Sequence, residues 1–141
     1  MSAIQLLIAP IFVHLALVLF VGVSSVRGRV ASVMSGETKL AEIALDSSKW
    51  PPRLRKLGNN FDNQFDVPTT WYALCALIVA TGKADMFLAV LSCIFVLTRL
   101  IHAYIHIGSN NVRYRMYAFL SGFGTLALMW TWFGIRLLLI G

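Results

Sequence analysis

Two stripes of polar residues carry the chemistry open to this chain. Arg55, Asn59, Asp62, Asn63 and Asp66 stand at i, i+4, i+7, i+8 and i+11, a spacing that lines one helix face with a cation, amides and carboxylates. Arg99, His102 and His106 stand at i, i+3 and i+7, and their stripe runs on through Ser109 or Asn110 to Arg113. Such groups hold charged ligands: a guanidinium takes a carboxylate or phosphate through parallel hydrogen bonds. Arg113 and Arg115 precede an apolar run, so their charges add to the positive end of its helix and favour an anion. A thiolate is one such anion, and a thiol held there is enriched in its nucleophilic form. The plainer readings are a solvated juxtamembrane helix face for the first stripe and two membrane-boundary anchors for the arginine pair.

His102 and His106 also have the i, i+4 spacing of two metal ligands, with His14 a conceivable third. Depth separates them. His14 lies twelve residues from Val26, about 18 Å into its segment, whereas His102 lies about 7 Å into its own. Two histidines on one helix cannot sandwich a haem, so no metal site is expected and the histidines are read as hydrogen-bonded within a polar interior. Arg99 lies about 12 Å in from Ile107, so it must face protein or a wet cavity. Both an ion pair with Asp62 or Asp66 and a clamp on a ligand anion remain open for it.

The elements that must position these stripes are membrane helices. Of 141 residues, 58% are hydrophobic and 13% charged, and the mean hydropathy is +0.75, which excludes an ordinary water-soluble enzyme. The apolar residues fall into blocks, several near the roughly 20 residues that cross about 30 Å of hydrocarbon. The first, Ile4 to Val26, is too long for a signal-peptide core and lacks a basic region before it. The second, Val67 to Gly82, covers only about 24 Å, so its helix is expected to extend backward through the first stripe, with Pro68 near the interface. The third runs from Ala84 to Ile107 and the fourth from Met116 to Ile140, with Arg136 able to snorkel from its end.

The expected fold is therefore an all-α membrane protein, a four-transmembrane-helix up-down bundle. It forms a single domain over 1–141, with helices over about 4–26, 54–82, 84–107 and 116–140 and a cytoplasmic loop over about 27–53. Arg27, Arg29, Lys39, Lys49, Arg53, Arg55 and Lys56 fall between Arg27 and Asp66, and Arg113 and Arg115 lie in the third connection, against Lys83 alone in the opposite loop. The positive-inside rule makes the basic side cytoplasmic and both termini non-cytoplasmic. The net charge of +6 is read as attraction to anionic lipid head groups, not nucleic acid. Cys75 and Cys93 are read as free thiols inside the second and third blocks.

The order of these features resembles the MAPEG family, the membrane-associated proteins in eicosanoid and glutathione metabolism that include the microsomal glutathione transferases. The likeness covers nearly the whole chain. On the second helix the family has an arginine, an asparagine four residues on, an acidic residue three further and then a proline. Arg55, Asn59 and Asp62 match, while Asn63, Asp66 and Pro68 offer a second register. On the third helix Arg99, His102 and His106 occupy the places of an arginine, a polar or aromatic residue at +3 and a tyrosine at +7. Arg113 or Arg115 stands where the family has the arginine proposed to activate the glutathione thiol. The acidic residue is Asp where Glu is usual, and His106 replaces the tyrosine.

The resemblance implies a homotrimer with glutathione, the co-substrate, held between neighbouring subunits. Arg55 and Arg99 would hold its carboxylates, with Asn59, Asn63, His102 and His106 beside them. Asp62 or Asp66 would take the amine, and Arg113 the thiolate, with Arg115 the second arginine at that place. The implied activity is that of a transferase or peroxidase acting on lipophilic small molecules that arrive from the bilayer. The alternative is a catalytically silent trimer binding a lipid, another anion or a protein partner. A bacterial inner membrane and one like the endoplasmic reticulum both fit.

Overall fold

The computed structural model describes residues 1–140. It is 83% helix, and no strand occurs among the described residues. Three helices are long and apolar enough to cross a membrane: α1 (Ala3–Met34), α5 (Met86–Ile107) and α6 (Val112–Ile135), the last continued by a π-helical turn over Arg136–Ile140. Between α1 and α5 lie a short helix α2 (Leu40–Ile43), a 3-10 turn (Ser47–Lys49), and helices α3 (Pro52–Asn63) and α4 (Val67–Ala80).

Helix α1 starts at a reciprocal cap, in which Ser2 Oγ accepts from Gln5 N at 3.2 Å and Gln5 Oε1 accepts from Ser2 N at 2.9 Å. It does not stop at Arg27 and Arg29, where the apolar run ends. Basic residues are good helix formers, Gly28 is carried through in helical conformation, and the chain leaves the helix only just before Gly36, with φ of 75°. The segment expected as loop from position 27 therefore begins with two further helical turns. A second difference lies between α3 and α4, expected as one continuous helix. The Pro68 ring removes an N–H and crowds the carbonyl four residues back, that of Gln64, and α3 ends there. Pro68 then sits in the first turn of α4, where a missing N–H costs nothing.

Helix α5 is the centre of the bundle, packing against α1, α3 and α6. The core joins Leu7, Trp71, Leu74, Ile78, Leu88, Phe95, Leu126 and Met129. It is stitched by polar bonds suited to an apolar setting: Trp71 Nε1 donates to Ser92 Oγ at 3.2 Å, and Ser92 Oγ donates to the Leu7 carbonyl at 2.9 Å. Cys75 and Cys93 are free. Gly28 and Gly58 let α1 and α3 approach closely, since a Cβ at either would lie 2.6 Å from Leu54 or Arg29 respectively.

The two ends of the bundle differ. At the end where α5 begins, Asp85 caps it by accepting from Leu88 N at 2.7 Å, while its other oxygen takes Trp132 Nε1 at 2.9 Å and Arg136 Nη1 at 2.6 Å. Arg136 is thus tied to a partner. Burial pushes the Asp85 carboxyl up, but these donors outweigh it and hold it below its ordinary value. At the opposite, basic end, Glu37 takes both Nη atoms of Arg53 at 2.7 and 2.5 Å and ties the start of α3 to the segment after α1.

Candidate functional site

The first stripe stands on α3. Arg55, Asn59 and Asp62 line one cavity of about 260 Å³, closed by Arg29, Trp50 and Gly58. Arg55 and Asn59 also line a second, of about 220 Å³, with Lys56, His106, Asn110 and Arg115. A third, of about 280 Å³, has Asn63, His102, Arg115, Met116 and Phe119 on its walls. Arg55 and Asn59 stand between the first two and Arg115 between the second and third, so the three adjoin as a polar groove between α3 and the basic ends of α5 and α6. A larger cavity, about 480 Å³, lies elsewhere, along α1 from Val18 to Arg29 against Phe61, and is almost wholly apolar.

The groove separates residues that the sequence left together. Of the two registers on α3, that of Arg55, Asn59 and Asp62 faces one cavity. Asn63 reaches the groove, with its amide turned back to donate to the Asn59 carbonyl at 2.6 Å. Asp66 lies beyond the end of α3, exposed and outside these cavities. Of the arginine pair, Arg113 is exposed and lines none of the three cavities, whereas Arg115 is half-buried and lines two.

Local structure fixes Arg115. Asn111 caps α6 by accepting from Arg113 N and Tyr114 N at 3.1 and 3.3 Å, which puts Arg115 in the first helical turn. Asn110 takes a positive φ of 52°, which asparagine tolerates, and its Oδ1 accepts from Arg115 Nη1 at 2.7 Å. A cation in the first turn of a helix is repelled by the helix dipole, so the arrangement is relieved by an anion.

Arg99 is 3% exposed and makes no ion pair with Asp62 or Asp66. Its Nη2 donates to the carbonyls of Ala118 and Phe119 at 3.1 and 3.3 Å, and the guanidinium lies 5.5 Å from each of the Phe95 and Phe119 ring centres. Gly122 opens the space, since a Cβ there would come within 2.5 Å of Arg99 Nη2. Arg99 is therefore held against α6 and lines none of the three cavities, unlike the histidines that follow it on α5.

The three histidines differ in how fully they are bonded. His14 is saturated: Tyr72 O–H donates to Nδ1 at 2.6 Å, and Nε2–H donates to Gln64 Oε1 at 3.1 Å, a tautomer fixed by the amide acceptor. Gln64 Nε2 continues to Asn60 Oδ1 at 3.0 Å, and Asn60 Nδ2 to the Ala103 carbonyl at 3.5 Å. His102 donates Nδ1–H to the Arg115 carbonyl at 3.1 Å, while its Nε2 is buried without a partner. His106, edge-on to His102 with ring centres 5.7 Å apart, has Nδ1 buried and makes no hydrogen bond among the described residues.

Sequence reasoning missed Asn60, Gln64 and Tyr72. The signal for the first two was present as amides at i, i+4, the second standing four residues before a proline.

The profile of the MAPEG family matches residues 6–135. The chain belongs to the MAPEG family. No curated protein and no solved structure gives a significant match. Membership together with three apolar helices makes it an integral membrane protein of the glutathione and eicosanoid metabolism type.

Proposed function

We propose that this MAPEG protein is a glutathione-binding membrane transferase or peroxidase that acts on lipophilic electrophiles. The observation that carries the reading is the single cavity walled by Arg55, Asn59, His106 and Arg115 at the basic end of the bundle. Glutathione has two carboxylates, an amine and a thiol, and this cavity offers Arg55, Arg115 and amides, with the Asp62 carboxylate in the adjoining cavity that Arg55 and Asn59 also line. Arg115 is the arginine assigned to the thiolate. It lines the groove, and its charge adds to the α6 dipole. Arg55 is assigned to a carboxylate and Asp62 to the amine.

In this reading α3 and α4 together make one broken crossing, which gives four in all, with the basic end cytoplasmic and both termini on the other side. The protein is a homotrimer in lipid, and its electrophile enters from the bilayer.

The test is an ultraviolet difference titration of glutathione into detergent-purified protein, read as thiolate absorbance, with equilibrium dialysis beside it. Loss of a charge-assisted contact costs about 1.5–3 kcal/mol, so Arg115→Ala is expected to weaken the thiolate signal about 10- to 100-fold. Arg113→Ala is expected to leave most of it. A signal lost in Arg113→Ala and kept in Arg115→Ala would reverse the assignment. No binding by the unaltered protein would leave a silent scaffold for a lipid, another anion or a partner.

A further inference from the structure

Resting on the glutathione reading, we propose that His106 is the catalytic base that takes the thiol proton. Of the three histidines it alone has no hydrogen bond among the described residues, so its lone pair is uncommitted. It is 3% exposed, with Nδ1 shielded and the ring on the wall of the cavity that Arg115 also lines. An imidazole that is buried, unbonded and beside the guanidinium assigned to the sulfur has the placement a general base needs.

The step is a proton transfer. The S–H bond of glutathione breaks, the proton bonds to a His106 ring nitrogen, and the electron pair stays on sulfur as a thiolate facing Arg115. When the thiolate then opens an epoxide, a C–S bond forms and the C–O bond breaks. The alkoxide takes the proton back from the imidazolium, so charge and atoms balance with no further reactant.

The groups around His106 are cationic or neutral. Arg55, Lys56 and Asn59 face it from α3, Arg115 from α6, Asn110 from the connection after α5, and His102 from its own helix. None of them competes as a carboxylate base for the thiol proton. His102 is a poorer candidate because its ring is anchored through Nδ1–H to the Arg115 carbonyl and it lines the adjoining cavity.

The experiment uses the full chain in detergent at saturating glutathione. Binding is read by equilibrium dialysis and thiolate absorbance is read from about pH 6 to 10. In His106→Gln, binding is expected to persist while the thiolate signal at pH 7 falls about tenfold. The deficit should close above about pH 9, because a free thiol with a pKa near 8.5 ionises unaided there. In His106→Ala, added imidazole is expected to restore the signal at pH 7, which a purely structural role would not produce. Dialysis also reports whether either variant still holds a formed site. A thiolate signal at pH 7 unchanged in His106→Gln, or imidazole without effect on His106→Ala while binding persists, overturns the role. Absence of binding by the unaltered protein overturns the glutathione reading itself, and is distinguished by the same dialysis.

Discussion

A guanidinium sealed inside a membrane bundle is costly unless its donors are used, and Arg99 has no carboxylate to use them on. Two carbonyls of α6 take Nη2 and the faces of two phenyl rings cover the guanidinium, Nε staying buried without a hydrogen bond, and Gly122 supplies the space. A methyl group at that position lies 2.5 Å from both Arg99 Nη2 and Thr98 Oγ1, so Gly122→Ala is expected to destabilise by about 1–3 kcal/mol through overpacking. Gly124→Ala is the control on the same helix, because a Cβ there meets nothing within 4 Å. Thermal unfolding in detergent compares them, and equal melting shifts would show that the Arg99 seat is not tight. Glu37 makes a second prediction. The Arg53 guanidinium, helped by the Ser32 hydroxyl, lowers its carboxyl to about 2, from an ordinary value near 4.5. A depressed carboxylate contributes stability above its unfolded pKa and loses it as pH falls toward the folded value, so this tie persists at pH 5 and weakens between about 4.5 and 2. Carboxyl-detected NMR of Glu37 should titrate in that low range and return close to the ordinary value in Arg53→Ala.

The helices of this protein end where backbone chemistry ends them, not where hydrophobicity does. Apolar blocks were enough to read α1, α5 and α6, because long runs of aliphatic residues in lipid leave few alternatives. They misplaced the end of α1, since Arg27 and Arg29 mark where water begins and helix formation ignores that boundary until Gly36. They also hid the break between α3 and α4, although Pro68 announced it, because a run of polar residues beside a short apolar block looks like one helix in need of length. The Gln64 side chain at that break becomes the junction of Tyr72, His14, Gln64 and Asn60, which joins α4, α1, α3 and α5. Single positions such as His14 look isolated in the sequence because each partner lies fifty or more residues away. Double-mutant cycles across His14→Leu and Tyr72→Phe in detergent should give a favourable coupling of about 0.6–2 kcal/mol, the range of interhelical hydrogen bonds in bilayers. A coupling of zero would mean that the two groups are satisfied independently.

At the scale of the whole molecule, the polar groove is gathered at one end of the bundle while much of the flank of α1 stays apolar and open, with Phe12, Leu19 and Phe20 more than half exposed. The types of the groove residues were legible because polar groups at membrane depth are rare. Which of them meet was not, because one helical stripe supports two registers until a break at Gln64 carries Asp66 away from α3. The same geometry bears on how sites would be shared in the homotrimer proposed above. Arg55 and Arg115 line one cavity within a single chain, so both are expected to come from the same protomer even where a neighbouring subunit closes the site. Differently tagged Arg55→Ala and Arg115→Ala chains, co-expressed and purified through both tags, are then expected to give mixed trimers with no restored glutathione binding, since every protomer carries a lesion in its own groove. Native mass spectrometry establishes the copy number and composition of the mixed particles, and dialysis reads their binding. A site that paired Arg55 of one subunit with Arg115 of a neighbour would regain intact copies on mixing, and recovered binding would place the functional site across the interface instead of inside the chain.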